Sequence, residues 1–275
     1  MTISHMPEDT SSTASTGLPI VGVLLVHGLN GNLNDMAELA KYLEARGMVT
    51  HNVSLPGHGV GVHVRELVPL GWEHWEQAVR DELADLRQRC DMVFLVGHSL
   101  GGALILHIAA HEEVAGVVSM CAPVHLYPWT LPFIRMLKRV VPMLPSLRED
   151  VRDHEARRRY KRDYRWTPLS PVESLMNFLP HLRTELPHIT APALIMASIY
   201  DHVVPARDGR EIYRHIGSRE KHLVIFHRSY HVIMKDHDRD EVFAKTAAFI
   251  ARHATKARIA STQDSSLAPR VDQSA

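Results

Sequence analysis

Met92-Val93-Phe94-Leu95-Val96-Gly97-His98-Ser99-Leu100-Gly101-Gly102 is the stretch that decides the fold. Met92–Val96 reads as a buried strand. Leu100–Ala110 is apolar nearly all round, as a buried helix should be. Between them lies Gly97-His98-Ser99-Leu100-Gly101, a G-x-S-x-G pattern in the strand–turn–helix setting that gives the pattern meaning. So tight a turn holds Ser99 in strained backbone, and glycine on either side avoids the clashes a Cβ would create. It also lifts the Ser99 hydroxyl above the sheet edge, at a helix N-terminus whose backbone N–H groups are unpaired. The competing reading is a glycine-rich turn with an idle serine.

Working outward, apolar runs alternate with helical patterns. Ile20–Val26, Met48–Leu55, Val114–Met120, Ala193–Ala197 and Leu223–Phe226 read as further strands. Helical spacing marks Asn34–Arg46 (Met36, Leu39, Ala40, Leu43), Trp72–Arg89 (Trp75, Val79, Leu83, Leu86) and Asp240–His253. Strand and helix in repeated order imply an α/β fold, a mostly parallel central sheet with helices on both faces. One segment breaks the order. Over 124–186 no clear strand is visible, and Leu131, Ile134, Leu137 and Val141 keep helical spacing. Ser170 and Glu173 read as a capping box with Pro171 at the first helical position. Leu175, Leu179, Leu182 and Leu186 form the face of that helix, which Pro180 should bend. The division expected is a core of 18–123 and 187–255, a helical cap at 124–186, and disordered tails at 1–17 and 256–275.

Composition narrows the function. The chain has 275 residues, 31 Lys plus Arg and 31 Asp plus Glu, so its formal charge is zero. That leaves no global basic field to gather nucleic acid or anionic membrane. Arg148–Arg165 carries eight basic and five acidic residues and reads as a solvated face. Cys90 and Cys121 cannot form a disulfide framework or a cysteine-rich metal site. No basic, apolar leader opens the chain and no apolar run is long enough to span a bilayer, so a cytoplasmic location is expected.

A serine hydroxyl is a weak nucleophile and needs a base. In this setting the partners come in the order Ser, Asp/Glu, His, each in a loop after a strand. Asp201 follows the Ala193–Ala197 strand and His231 follows the Leu223–Phe226 strand. Both therefore sit at the end of the sheet where parallel α/β folds place their sites. His231 would take the Ser99 proton and return it to the leaving group, while Asp201 would orient the imidazole. Asp208 and His227 are the rivals. The oxyanion needs fixed donors. The backbone N–H of Leu100 is one. That of Leu29, in His27-Gly28-Leu29-Asn30-Gly31, is the other, with His27 bracing the loop. Asn30 reads equally as a turn residue. His107 and His111 share a helix face, but no acid follows at metalloprotease spacing, so no metal is assigned. Trp72 and Trp75 read as core anchors, and Cys121 as a small buried residue.

These motifs resemble the bacterial carboxylesterase and monoacylglycerol lipase family of α/β-hydrolases. The matching stretches are His27-Gly28-Leu29-Asn30-Gly31, Leu55-Pro56-Gly57-His58-Gly59, Gly97-His98-Ser99-Leu100-Gly101-Gly102, Asp201-His202-Val203-Val204-Pro205 and Ser229-Tyr230-His231-Val232. They run in family order over about residues 18 to 255. The resemblance implies an α/β-hydrolase fold with a small helical cap, a Ser99–Asp201–His231 triad, and Leu29 and Leu100 as oxyanion donors. The expected activity is hydrolysis of short- to medium-chain acyl esters, monoacylglycerols included, with no cofactor. Leu126, Trp129, Phe133 and Ile134, together with Tyr127 and Leu131, offer apolar surface for an acyl channel. The expected partner is a small acyl ester, with no nucleic acid and no stable membrane insertion, in a monomer or homodimer.

Thioester, amide, lactone or carbon–carbon hydrolysis could use the same machinery. A dehalogenase or epoxide hydrolase would need Asp at position 99. A non-catalytic binding module would keep the pocket without turnover, and the charged cap stretch could instead dock a partner.

Overall fold

The computed structural model describes residues 19–59, 61–125, 130–145, 150–160 and 166–267, with side chains to Lys256. Leu126, Tyr127 and Trp129 of the expected acyl channel lie outside the described residues, as do the tail 1–17 and much of the charged run.

Six strands form one parallel sheet: β1 (Val21–Val26), β2 (Val49–Val53), β3 (Met92–His98), β4 (Gly116–Met120), then, after an insertion, β7 (Ala193–Ser198) and β8 (Lys221–Phe226). Their order is β2-β1-β3-β4-β7-β8. β1, β3 and β4 are almost wholly buried apolar runs, as strands covered on both faces must be. Alternate residues face opposite ways. Leu24, Val26, Val93 and Leu95 join one core with α2 (Trp72–Arg87) and α3 (Leu100–His111). Val23, Leu25, Phe94 and Val96 join the other with α1 (Leu33–Glu44) and α8 (Arg239–Leu267). Two helical layers thus sandwich the sheet.

The topology places the site. From β1 the chain steps outward to β2 and then returns to lay β3 on the other flank of β1. That reversal leaves a crevice beyond the carboxyl ends of β1 and β3. Val26 is in register with Gly97, so 27–31 and 97–102 leave the sheet side by side. Gly101 makes the approach possible, because a Cβ there would stand 2.3 Å from the Val26 carbonyl oxygen.

Between β4 and β7 come α4 (Leu131–Leu137), β5 (Met143–Pro145), α5 (His154–Arg159), β6 (Trp166–Pro168) and α6 (Leu169–Glu185). The insertion is therefore not purely helical: β5 and β6 pair antiparallel. Each is three residues long and ends in proline, too short to print a period of two. The Ser170–Glu173 capping box does not form either. α6 starts at Leu169 without a side-chain cap, and Glu173 pairs instead with Arg135 and Lys138 of α4. Its expected face is buried at Leu175, Leu179, Leu182 and Leu186, and Pro180 lies inside a continuous helix. In the charged run the described side chains of Arg152, Glu155, Arg158 and Arg159 are exposed, in keeping with a solvated face, while its backbone is anchored. Val151 is buried, and the N–H groups of Arg152 and Asp153 donate to the Asp236 carboxylate at 2.7 and 2.9 Å. α7 (Ala206–His215) escapes a periodicity search because its buried positions are Asp208, Gly209 and Ile212, with one large apolar residue among them. The last helix runs to Leu267, past the expected boundary at 256. No glycine or proline interrupts the sequence up to that point.

Candidate active site

Ser99 is half-buried between β3 and α3 with φ 52° and ψ −117°, a conformation that L-residues adopt only when their surroundings impose it. The constraint is visible. The Ser99 N–H donates to the Met120 carbonyl on neighbouring β4 at 2.9 Å, and its own carbonyl accepts from Ala103 at 3.0 Å.

Asp201 and His231 are brought together from loops after adjacent strands. His231 Nδ1 lies 2.7 Å from Asp201 Oδ2, and both residues are buried. The other carboxylate oxygen, Oδ1, accepts from the N–H groups of Val203 and Val204, each at 2.8 Å. Burial works to raise the Asp201 pKa. The His231 charge, its hydrogen bond and the two N–H donors outweigh that and hold it below the usual carboxylate range. Asp201 thus caps the turn before Pro205 and engages His231 at once. The rivals sit elsewhere. His227 is exposed. Asp208 is buried and accepts from Val124 and His125 N–H at 2.8 and 2.9 Å, fastening the chain where it leaves β4.

His98 links the serine turn to the histidine loop. Its Nε2–H donates to the His231 carbonyl at 3.0 Å, with ring centres 4.7 Å apart. Burial depresses its pKa to about 3, so it is neutral and serves as a strut. The His231 loop is fastened on other sides too. Ser229 Oγ donates to Asp238 at 2.7 Å, Tyr230 N–H donates to Asp236 at 2.8 Å, and Val232 N–H donates to the Asp150 carbonyl at 3.0 Å. The insertion therefore holds the loop directly. Sequence reasoning missed these struts; their trace is Asp236 and Asp238 five and seven positions after His231.

Cys121 is more than a filler. It directly follows β4 at φ 49° and is buried. Its Sγ, a carboxylate oxygen of Asp201 and a ring nitrogen of His231 lie within 4.8 Å of one another. Burial and the Asp201 carboxylate push the thiol well above its ordinary range, so it stays protonated, with its S–H available to the neighbouring carboxylate.

The loop after β1 closes on itself and on Ser99. Gly31 N–H donates to the Gly28 carbonyl at 3.0 Å, and Asn30 occupies the left-handed region at φ 61°. A Cβ on Gly28 would stand 3.0 Å from the Ser99 Cβ, so Leu29 is in the stretch beside the serine. Leu100 is the first residue of α3, where an N–H has no intrahelical acceptor. Asn30 proves both turn residue and tether: its Nδ2 donates to Thr167 Oγ1 in β6 at 2.7 Å. His27 braces the loop, with Nδ1–H on the Gly28 carbonyl at 2.9 Å and burial lowering its pKa to about 4. It meets His58 edge to face. Burial, the His27 charge acting with it, depresses His58 to about 3. Phe133 stands exposed on α4 and Ile134 half-buried beside it. Trp75 is fully buried; Trp72 is half-buried and stacks on Phe178.

Comparison with known proteins agrees with this architecture. The family described as serine aminopeptidase S33 matches residues 19–238. The chain is 31% identical over 235 residues to a thermostable monoacylglycerol lipase of Bacillus sp. (strain H-257), covering 85% of this chain and 92% of that one. It is 29% identical over 238 residues to a carboxylesterase of Bacillus subtilis (strain 168), covering 84% and 92%. Among solved structures, one reported with the metagenome-derived lipolytic enzymes LipS and LipT superposes with a TM-score of 0.79 at 30% identity, over 86% of this chain and 96% of that one. No described helix is long and apolar enough to cross a membrane. The chain belongs to the serine aminopeptidase S33 family of α/β-hydrolases, in the company of carboxylesterases and monoacylglycerol lipases.

Proposed function

We propose that this protein is a serine carboxylic-ester hydrolase for short- to medium-chain acyl esters, monoacylglycerols included. The observation that carries the reading is one arrangement. A strained serine holds the β3–α3 turn, and its neighbour His98 hydrogen-bonds the carbonyl of a buried histidine that is itself paired with a buried, ionised aspartate.

Ser99 Oγ attacks the ester carbonyl while His231 accepts its proton. Negative charge develops on the carbonyl oxygen and is held by the N–H groups of Leu29 and Leu100. Collapse of that intermediate breaks the ester C–O bond, and His231 gives the proton to the departing alcohol. Water then attacks the acyl-Ser99 ester, again losing a proton to His231, and the acid leaves with Ser99 restored. Asp201 stabilises the imidazolium in both halves. Apolar residues of the insertion, Leu126, Trp129, Phe133 and Ile134, receive the acyl chain.

The test is the hydrolysis of p-nitrophenyl esters of increasing acyl length by the wild type and Ser99→Ala. An optimum at short or medium length that vanishes in the variant supports the reading. Equal rates in both proteins overturn it. A second reading, aminopeptidase, comes from the description of the matched family. It gains ground if aminoacyl p-nitroanilides are cleaved in preference to the esters.

A further inference from the structure

Among the described residues, two groups of His, Cys, Asp and Glu side chains are close enough together to share an ion. One is Cys121, Asp201 and His231, which belongs to the candidate active site. The other stands apart, where α3 meets the end of α6. His107 and His111, one turn apart on α3, converge on Glu185. His107 Nδ1 is 2.6 Å from Glu185 Oε2, and His111 Nε2 is 3.1 Å from Oε1.

We propose that His107, His111 and Glu185 form a divalent-metal site of the zinc type that clamps α6 onto α3. One ligand atom from each lies within 4.8 Å of the other two. Nitrogen and oxygen ligands around tetrahedral zinc stand about 3.4 Å apart, given bonds near 2.1 Å, so a small rearrangement of the three side chains admits the ion. Two imidazoles and one carboxylate are an ordinary set for zinc, and water can complete the tetrahedron. The open side exists because His111 is exposed over 46% of its side chain.

The surroundings suit that role. The far nitrogen of His107, Nε2, faces Glu76 Oε1 at 3.7 Å, which places negative charge behind the imidazole. Glu76 is itself held by Arg80. The His107 ring is set edge-on against Trp72 and Phe178, with centres 5.5 and 5.4 Å away. Burial works to raise the Glu185 pKa, but its hydrogen bonds to His107 and His111 prevail and keep it an anion. Sequence showed the two histidines without an acid at the expected spacing; the fold supplies that acid from 74 residues away.

The experiment is Zn²⁺ titration of chelator-treated protein against a chromophoric chelator, with thermal unfolding alongside. Wild type, His111→Ala and Glu185→Gln are compared, and His111→Ala removes a side chain the core does not need. One equivalent bound by the wild type should raise Tm by several degrees at a hundredfold excess over Kd. Affinity should fall at least tenfold in both variants and the Tm rise should vanish. Co²⁺ should quench Trp72 fluorescence in the wild type and not in His111→Ala. Equal Zn²⁺ affinity and equal Tm shifts in all three proteins would place the ion on other histidines and overturn the proposal. Failure of the wild type to compete with the chelator would overturn it too, leaving an ion-paired cluster.

Discussion

His231 Nδ1 and Asp201 Oδ2 are 2.7 Å apart, although thirty residues separate them in the chain. The pair meets because β7 and β8 are neighbours in parallel register, with Ser198 opposite Phe226, and each residue leaves its strand at the same end of the sheet. Asp201→Asn should therefore lower kcat by about four orders of magnitude with little change in KM. Asp208→Ala should do the reverse. It strands the Val124 and His125 N–H groups, costing about 1–3 kcal/mol of stability, while kcat of the folded protein stays within a few-fold. Steady-state kinetics with urea unfolding would separate the two. A larger kcat loss in Asp208→Ala would mean the acid is misassigned.

Stability should fall as the solution is acidified. His27, His58 and His98 have folded-state pKa values of about 4, 3 and 3 against an ordinary 6.5. Between those values the unfolded chain binds protons that the folded chain does not, so lowering pH favours unfolding. Each contributes at most about 1.4 kcal/mol per pH unit, and the three together about 7 kcal/mol between pH 6 and pH 4. Asp201 adds to this only at lower pH. Its pKa is depressed on folding, so its contribution is present above the ordinary carboxylate pKa and is lost as pH falls through the lowered one. Urea midpoints from pH 7 down to pH 4 would show the decline, and His58→Gln should flatten about a third of it. A flat profile to pH 4 would contradict neutral burial of these rings.

Cys121 should act through Asp201. Cys121→Ser keeps a donor to the carboxylate and should leave kcat within a few-fold. Cys121→Ala removes it and should lower kcat up to tenfold, with KM unchanged and the acidic limb of the kcat/KM profile displaced upward. A packing role alone would cost stability in both variants and leave the pH profile where it was.

The β1 loop should be sensitive to single methyl groups. Gly28→Ala places a Cβ 3.0 Å from Ser99 Cβ and 3.2 Å from His98 Nδ1. It should lower kcat at least tenfold in a protein that still folds. Thr167→Val, which removes the Asn30 acceptor in β6, should cost about 1 kcal/mol of stability and reduce kcat several-fold. Wild-type kcat in Gly28→Ala would show that this loop does not reach the reacting group.

What the sequence made legible is the part written in local pattern. Buried parallel strands such as Val93–Val96 are continuous apolar runs. The Gly97–Gly101 turn carries its own glycines, and Asp201 and His231 directly follow strands. What stayed hidden depends on contacts distant in the chain. Pairing of β5 with β6, the bond from Asn30 to Thr167, the strut from His98 to the His231 carbonyl and the meeting of Glu185 with His107 all join segments with no shared periodicity. The polar face of α7 hid it for a related reason. Burying Asp208 is paid by two backbone N–H groups from beyond β4, which no window of neighbouring residues contains.

The most direct measurement of the central claim is labelling with a fluorophosphonate, followed by mass mapping of the modified peptide. The account predicts one adduct per chain, on Ser99, with ester hydrolysis lost in proportion, and no adduct in Ser99→Ala. Labelling at another residue, or full ester hydrolysis after Ser99 is modified, would contradict it.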